Sequence, residues 1–258
     1  MRKRWIMIFV VLLPLVFTLA IIGESRAEDT GPFAKTNFSG TATLTSDYVF
    51  RGLSQTNEDP AAQASFEYKH PVGVFLGVWG STVDDTISDG NAEIDLYGGY
   101  RGQIFDNLGY ELSIIYYWYP GGASDPELDY VEFHGGLNYT FAGLPLEPSV
   151  GVGFNYSPDF FGEDGSGYFY NGTLRFTLPY GVGLGLELGY QDVKGDKTTG
   201  NGRGLNGNDG YDYLFWKAGL SKEVLGFNLD VSYYDTNEEE YFGPIGDSRV
   251  VFSISRSF

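Results

Sequence analysis

Val182-Gly183-Leu184-Gly185-Leu186-Glu187-Leu188-Gly189-Tyr190-Gln191 alternates without a break, with apolar side chains at the even positions and glycine, glutamate or glutamine at the odd ones. A period of two puts one set on each face of an extended strand. The same alternation recurs along the chain. Val150, Val152, Phe154 and Tyr156 interleave with Ser149, Gly151, Gly153 and Asn155. Tyr168, Tyr170, Leu174 and Phe176 interleave with Asn171, Thr173, Arg175 and Thr177. Phe227, Leu229, Val231 and Tyr233 do so with Asn228, Asp230, Ser232 and Tyr234. Segments of about ten such residues match the length of a tilted strand crossing a bilayer.

The connections supply the wiring. Short turns at 70–73, 105–108, 142–145, 179–181 and 223–226 alternate with longer polar connections at 54–60, 84–91, 120–127, 158–166, 193–210 and 237–246. Strands placed between them number about twelve, with both ends on the short-turn side. In hydrocarbon an open sheet edge would strand its backbone donors and acceptors, so such a sheet has to close. The fold class expected is all-β: a transmembrane, up-and-down antiparallel β-barrel of about twelve strands, with short periplasmic turns and longer extracellular loops. A content of 17% aromatic residues and 37 glycines fits aromatic girdles and strand curvature better than a soluble secreted domain.

The N-terminus carries an export address. Arg2, Lys3 and Arg4 precede an apolar run from Trp5 to Ile22, and Ser25 and Ala27 stand where a signal peptidase reads small residues. Residues 1–27 are expected to be a signal peptide cleaved after Ala27, residues 28–37 a periplasmic lead-in and residues 38–258 the barrel. The alternative is an uncleaved anchor, since the run is near spanning length. Removing residues 1–27 takes away four basic side chains and one acid, moving the formal charge from −18 to −21. That charge excludes nucleic acid as a partner. The absence of cysteine removes a disulfide scaffold and thiolate chemistry. The last strand alternates too: Val250, Phe252, Ile254 and Phe258 share one face. Phe252, Ile254 and the terminal Phe258 resemble the C-terminal signal read by the outer-membrane barrel-assembly machinery. Arg256 departs from that pattern and is expected to snorkel to headgroups.

Phe38-Ser39-Gly40-Thr41-Ala42-Thr43-Leu44-Thr45-Ser46-Asp47-Tyr48-Val49-Phe50-Arg51-Gly52-Leu53-Ser54-Gln55-Thr56 resembles the opening of the TorF-type porin family, bacterial conserved outer-membrane proteins of otherwise unknown function. The Ala61-Ala62-Gln63-Ala64-Ser65 stretch and Glu93-Ile94-Asp95-Leu96-Tyr97-Gly98-Gly99-Tyr100 extend the likeness. The resemblance implies an outer-membrane location and a porin role, and it carries over no catalytic residue.

If Glu187 faces inward, the same phase puts Glu67, Lys69, Glu93, Asp95, Arg101, Glu111, Glu132, His134, Arg175 and Asp230 on the lumen side. A basic side chain turned to mid-membrane lipid would cost about 2–4 kcal/mol, so these charges are expected to line a wet interior. The function expected is passive diffusion of ions or small solutes with a preference for cations. The rival is a barrel plugged by Arg101 and Arg175 paired with carboxylates, acting as a structural or surface-binding platform. An outer-membrane hydrolase is the third class. His134 with Glu132 is its one candidate pair, and no Gly-x-Ser-x-Gly elbow accompanies it. No cofactor or metal is expected, the calcium-loop likeness of Asn208-Asp209-Gly210 lacking its closing glutamate. Partners are expected to be outer-membrane lipid, lipopolysaccharide (bridged through divalent ions by loop acids such as Asp84 and Asp85) and small cationic solutes.

Overall fold

A strand that alternates apolar and polar residues has one face to hide and one to solvate, and a closed sheet in a membrane satisfies both. The computed structural model describes residues 31–124, 127–162, 165–195, 210–238 and 242–258. The barrel lies within a unit running from Thr36 to Phe258. The expected signal peptide, its cleavage after Ala27 and the first three residues of the lead-in lie outside the described residues.

Strand β1 (Phe38–Thr45) is followed by two very short strands, β2 (Val49–Phe50) and β3 (Leu53–Ser54), which form a sheet of their own. The wall continues through β4 (Ala61–Lys69), β5 (Val74–Thr82), β6 (Ala92–Phe105), β7 (Leu108–Trp118), β8 (Tyr130–Thr140) and β9 (Ser149–Ser157). It is completed by β10 (Gly167–Leu178), β11 (Val182–Val193), β12 (Tyr211–Val224), β13 (Phe227–Thr236) and β14 (Arg249–Ser257). Each of these strands pairs with its sequence neighbour, and β1 pairs with β14, giving a closed antiparallel barrel of twelve strands. Among the described residues one short α-helix, Asp85–Ser88, sits in a long connection, and three single turns of 3-10 helix lie at Lys35–Asn37, Pro179–Gly181 and Gly243–Gly246. None of the described helices is long and apolar enough to cross a membrane.

The register keeps the two faces apart. On β10 and β11, Leu174 opposes Leu186 on the outside, and Thr173 opposes Glu187 on the inside. The outer face carries Leu76, Leu112, Val152, Leu188 and Phe252 at 56–62% exposure, a belt that water could not wet cheaply and lipid can. Tyr100, Tyr139, Phe141 and Phe227 stand toward the turn end of that face, and Trp118, Trp216 and Tyr170 toward the long-loop end. Arg256 lies on the outer face at the turn end, its guanidinium 5.2 Å from the Phe227 ring centroid and 5.5 Å from that of Phe258. The turns are as tight as the spacing demands: Leu225 and Gly226, both at positive φ, link β12 to β13.

One connection departs from the sequence reading. The first long connection was expected to begin at Ser54, but β1 ends at Thr45 and residues 46–60 leave the wall. The alternation of Tyr48, Phe50 and their neighbours mimics a continuing strand because this segment is itself a hairpin.

The assignment of faces is checked by paired arginine substitutions. Ile114→Arg, on the lipid face near the middle of β7, is expected to lower unfolding free energy in vesicles by about 2–4 kcal/mol. Thr173→Arg, which faces inward opposite Glu187, is expected to change it by much less. Equal costs would contradict the assignment.

Candidate functional site

Residues 46–60 fold into the barrel, and the fold of that segment begins at Asp47. Its Oδ1 accepts hydrogen bonds from Ser54 Oγ and Thr56 Oγ1, both at 2.7 Å, and its Oδ2 accepts one from Arg249 Nη1 at 2.9 Å. Gln55 N–H donates to the Tyr48 carbonyl at 2.7 Å, and Val49 and Phe50 then pair with Ser54 and Leu53. Arg51 and Gly52 make the two-residue turn at φ 48° and 86°, the doubly positive geometry that suits a tight hairpin. Only glycine fits the second position. A Cβ on Gly52 would come within 2.6 Å of Phe215 Cβ and 2.8 Å of Thr236 Cγ2.

At the tip, Arg51 reaches the opposite wall. Its Nη1 and Nη2 donate to the two Glu132 oxygens at 2.9 and 2.6 Å, and Nη1 also donates to Gln191 Oε1 at 2.7 Å. The guanidinium lies 4.1 Å from the Phe169 ring centroid and 4.6 Å from that of Phe50. Glu132 accepts two more hydrogen bonds at 3.1 Å, from the Tyr117 hydroxyl and Asn155 Nδ2. The side chains of Arg51 and Glu132 are 7% and 1% exposed. Burial disfavours the Arg51 charge, but the Glu132 carboxylate outweighs that cost and holds the guanidinium protonated. A pair this buried is tolerable only because nearly every donor and acceptor around it is used.

The hairpin also supplies the core of the long-loop half. Tyr48 packs on Trp79 of β5 at 5.2 Å between ring centroids, within a cluster that includes Ala61 and Val83. Phe50 packs against Tyr117 of β7, beside the buried rings of Tyr119, Tyr130 and Phe160. Leu53 meets Phe169, Tyr213 and Phe215. Burial first, and then the neighbouring carboxylates of Glu93 and Asp95, push the Tyr48 hydroxyl well above its ordinary value, so it stays a donor. It donates to Glu93 Oε1 at 3.2 Å.

The turn-end half is built differently. Arg101 donates to Glu67 and Glu111, both at 2.7 Å, and covers the fully buried Phe75 ring at 3.7 Å. Across the lumen, Asn171 donates to Glu187 at 2.8 Å and Ser232 to Asp230 at 2.7 Å. Lys217 sits 5.0 Å from the Tyr234 ring. Arg175 forms no ion pair among the described residues, unlike the rival reading in which it would help plug the barrel. The reason is local: its cross-strand partners are Gly185 and Ser149, which carry no charge. Lys69 lies at the turn end of β4.

The sequence-predicted residues therefore fall into separate groups. Glu67, Arg101 and Glu111 form one ion cluster. Arg175, Glu187 and Asp230 occupy the other wall. Glu93 and Glu132 lie against the hairpin instead of a wet channel, bonded by Tyr48 and Arg51, and Asp95 stands two residues from Glu93 on the same face of β6. His134 is not oriented by Glu132: its Nδ1 lies 3.0 Å from Asn155 Oδ1, and Asn155 carries the contact on to Glu132. No group of three or more histidine, aspartate or glutamate side chains suited to a metal occurs among the described residues. Asp47, Tyr48, Arg51 and Arg249 went unassigned in the sequence reading.

A family model described as "Bacterial protein of unknown function (Gcw_chp)" matches residues 26–258. The barrel is similar to the KdgM porin, solved in complex with disordered oligogalacturonate (TM-score 0.52, 12% identity, 86% of this chain and 98% of that one). It is also similar to the NanC porin (TM-score 0.53, 9% identity, 84% and 97%). At such identities the likeness shows the fold. No curated protein matches by sequence.

Arg51→Ala leaves Glu132 buried without its charge partner and is expected to weaken hairpin docking by about 3–5 kcal/mol. Adding Glu132→Gln is expected to recover part of that loss. Hydrogen exchange at the Gln55 amide, which is bonded to Tyr48 within the hairpin, reads both effects. Unchanged exchange in Arg51→Ala would show that the pair does not hold the hairpin.

Proposed function

The chain belongs to the bacterial family of unknown function described as Gcw_chp, and we propose that it is an outer-membrane diffusion channel for ions or small solutes, narrowed at its long-loop end by the hairpin of residues 47–56. The turn end, where both ends of the barrel strand order lie, faces the periplasm in this reading, and the chain is exported by its N-terminal signal. Physical support comes first from the wall. Eight-stranded barrels are filled by side chains and sixteen-stranded ones hold an open channel, so twelve strands leave a lumen that a short insertion can close.

The observation that carries the proposal is the difference between the two halves of that lumen. The long-loop half is packed with aromatic rings around the hairpin. The inner wall farther toward the turns carries hydroxyls, amides and charges, and Gly185 there has open space in front of it. Such a lining serves a solute that passes in water, and the hairpin sets what passes and how fast. The porin role and outer-membrane location implied by the TorF-type resemblance agree with this reading.

The finer part of the proposal is a preference for cations. On the inner wall and the hairpin together, Asp47, Glu67, Glu93, Asp95, Glu111, Glu132, Glu187 and Asp230 outnumber Arg51, Lys69, Arg101, Arg175, Lys217 and Arg249. Arg51 and Arg101 are moreover committed to carboxylates. KdgM was solved with an oligogalacturonate, a polyanion. Here Arg51, Arg101 and Arg249 are engaged by carboxylates and only Arg175 is left among the inner-wall arginines described, which favours small cations or neutral solutes instead.

The second reading is a structural or surface-binding barrel, and the completeness of the Arg51 network favours it. Planar-bilayer recording separates the two. The proposal expects small, cation-selective conductance from the parent, and several-fold larger steps when Val49–Ser54 is replaced by a Gly-Gly link. Electrical silence from both folded proteins would leave the structural reading. No enzymatic role is proposed.

A further inference from the structure

Two acidic side chains beside the hairpin lack what the other buried acids of the lumen possess. Asp47 is paired with Arg249, and Glu132 with Arg51. Glu93 and Asp95 stand two residues apart on β6, so both point inward from neighbouring positions on one face. Glu93 is 2% exposed, and Tyr48 occupies only its Oε1. Glu93 Oε2 and Asp95 Oδ1 are both buried with no hydrogen-bond partner. No ion pair to either residue exists among the described residues, since Arg51 is engaged by Glu132 and Gln191, and Arg101 by Glu67 and Glu111.

Two neighbouring carboxylates cannot both be ionised away from water unless positive charge joins them. The protein provides none. We propose that Glu93 and Asp95 form a binding site for a hard divalent cation of the calcium class, held between Glu93 Oε2 and Asp95 Oδ1.

The donor chemistry selects the class. Both free donors are carboxylate oxygens, which suit calcium and not the softer transition metals. The chain has no cysteine, and the His134 Nδ1 contact is with Asn155. Two negative charges match one divalent ion. The Tyr48 hydroxyl holds Oε1, the Tyr119 hydroxyl stands beside the same carboxylate, and Oε2 is left for the ion. Calcium accepts irregular coordination completed by water, whereas magnesium demands a near-ideal octahedron. Asp95, less buried than Glu93, provides the approach from the lumen. This site requires no conduction, so its failure and the failure of the channel reading are separate events.

The test uses the refolded mature chain in detergent, stripped with a chelator and titrated with calcium chloride by calorimetry, with thermal unfolding followed in parallel. One calcium ion per barrel with Kd of about 10⁻⁴–10⁻³ M is expected, with a midpoint that rises as calcium is added. E93Q/D95N is expected to lose that binding event. In chelator it is expected to unfold at a higher temperature than the parent, because neutral amides do not repel. Asp95→Asn alone repeats the calorimetric test should the double variant not fold. Absence of heat and of any midpoint shift in the parent at about ten times that Kd would overturn the proposal, with a proton shared between the two acids as the remaining account. Equal responses in parent and variants would also overturn it, placing the divalent ions on loop acids such as Asp84 and Asp85.

Discussion

At the seam where β1 meets β14, Thr41 opposes Ser257 and Thr45 opposes Ser253, and Gly40 and Phe258 exchange backbone hydrogen bonds at 3.2 and 2.9 Å. Without that pairing, two strand edges would lie in hydrocarbon with unpaired donors and acceptors, each costing several kcal/mol. With it, the sheet has no edge, the outside has to be apolar and the charged mid-strand side chains have to turn into the lumen. The terminal Phe258 belongs to this seam, which ties the last residue of the chain to barrel closure.

Closure creates an interior, and the 46–60 segment decides how it is filled. A twelve-stranded wall is too wide to be packed by its own side chains alone. Here the hairpin provides the missing centre, with Tyr48, Phe50 and Leu53 each entering a different aromatic cluster. Its two anchors are charge pairs of the same design: Asp47–Arg249 at the root and Arg51–Glu132 at the tip, each bonded to further side chains. A third arginine, Arg101, performs a similar task nearer the turns with Glu67 and Glu111. The lumen is thus ordered in layers, aromatic above and ionic below, and Glu93 with Asp95 is the place where that ordering leaves negative charge uncompensated.

The wall was legible in the sequence because its rule is local. Val182 to Gln191 shows its two faces without reference to any other residue, and the alternation of short and long connections gave the strand number and wiring. The inward orientation of Glu187, Arg175 and Asp230 followed from the same phase. The hairpin was not legible in this way. Tyr48, Val49, Phe50 and Leu53 have strand-like composition, and nothing local says that the chain turns inward after Thr45. The signal available was Arg51-Gly52, a turn-prone pair inside an aromatic stretch, flanked by Asp47 and by Ser54 and Thr56 at capping distance. The partners that give Arg51 its meaning, Glu132 and Gln191, lie 81 and 140 residues away, and no periodicity connects them. His134 shows the same limit: its spacing from Glu132 suggested a pair, and Asn155 on the next strand intervenes.

The central claim is that residues 47–56 occupy the lumen, and the lack of native cysteine makes it directly measurable. Single cysteines at Ser54, fully buried within the hairpin, and at Asn57, exposed just beyond it, would be labelled with a bulky water-soluble maleimide on the folded barrel in membranes. The account predicts rapid labelling at position 57 and strong protection at position 54 that disappears on unfolding. Equal, rapid labelling at both positions would mean that the segment is an ordinary outer loop and that the lumen is not closed by it.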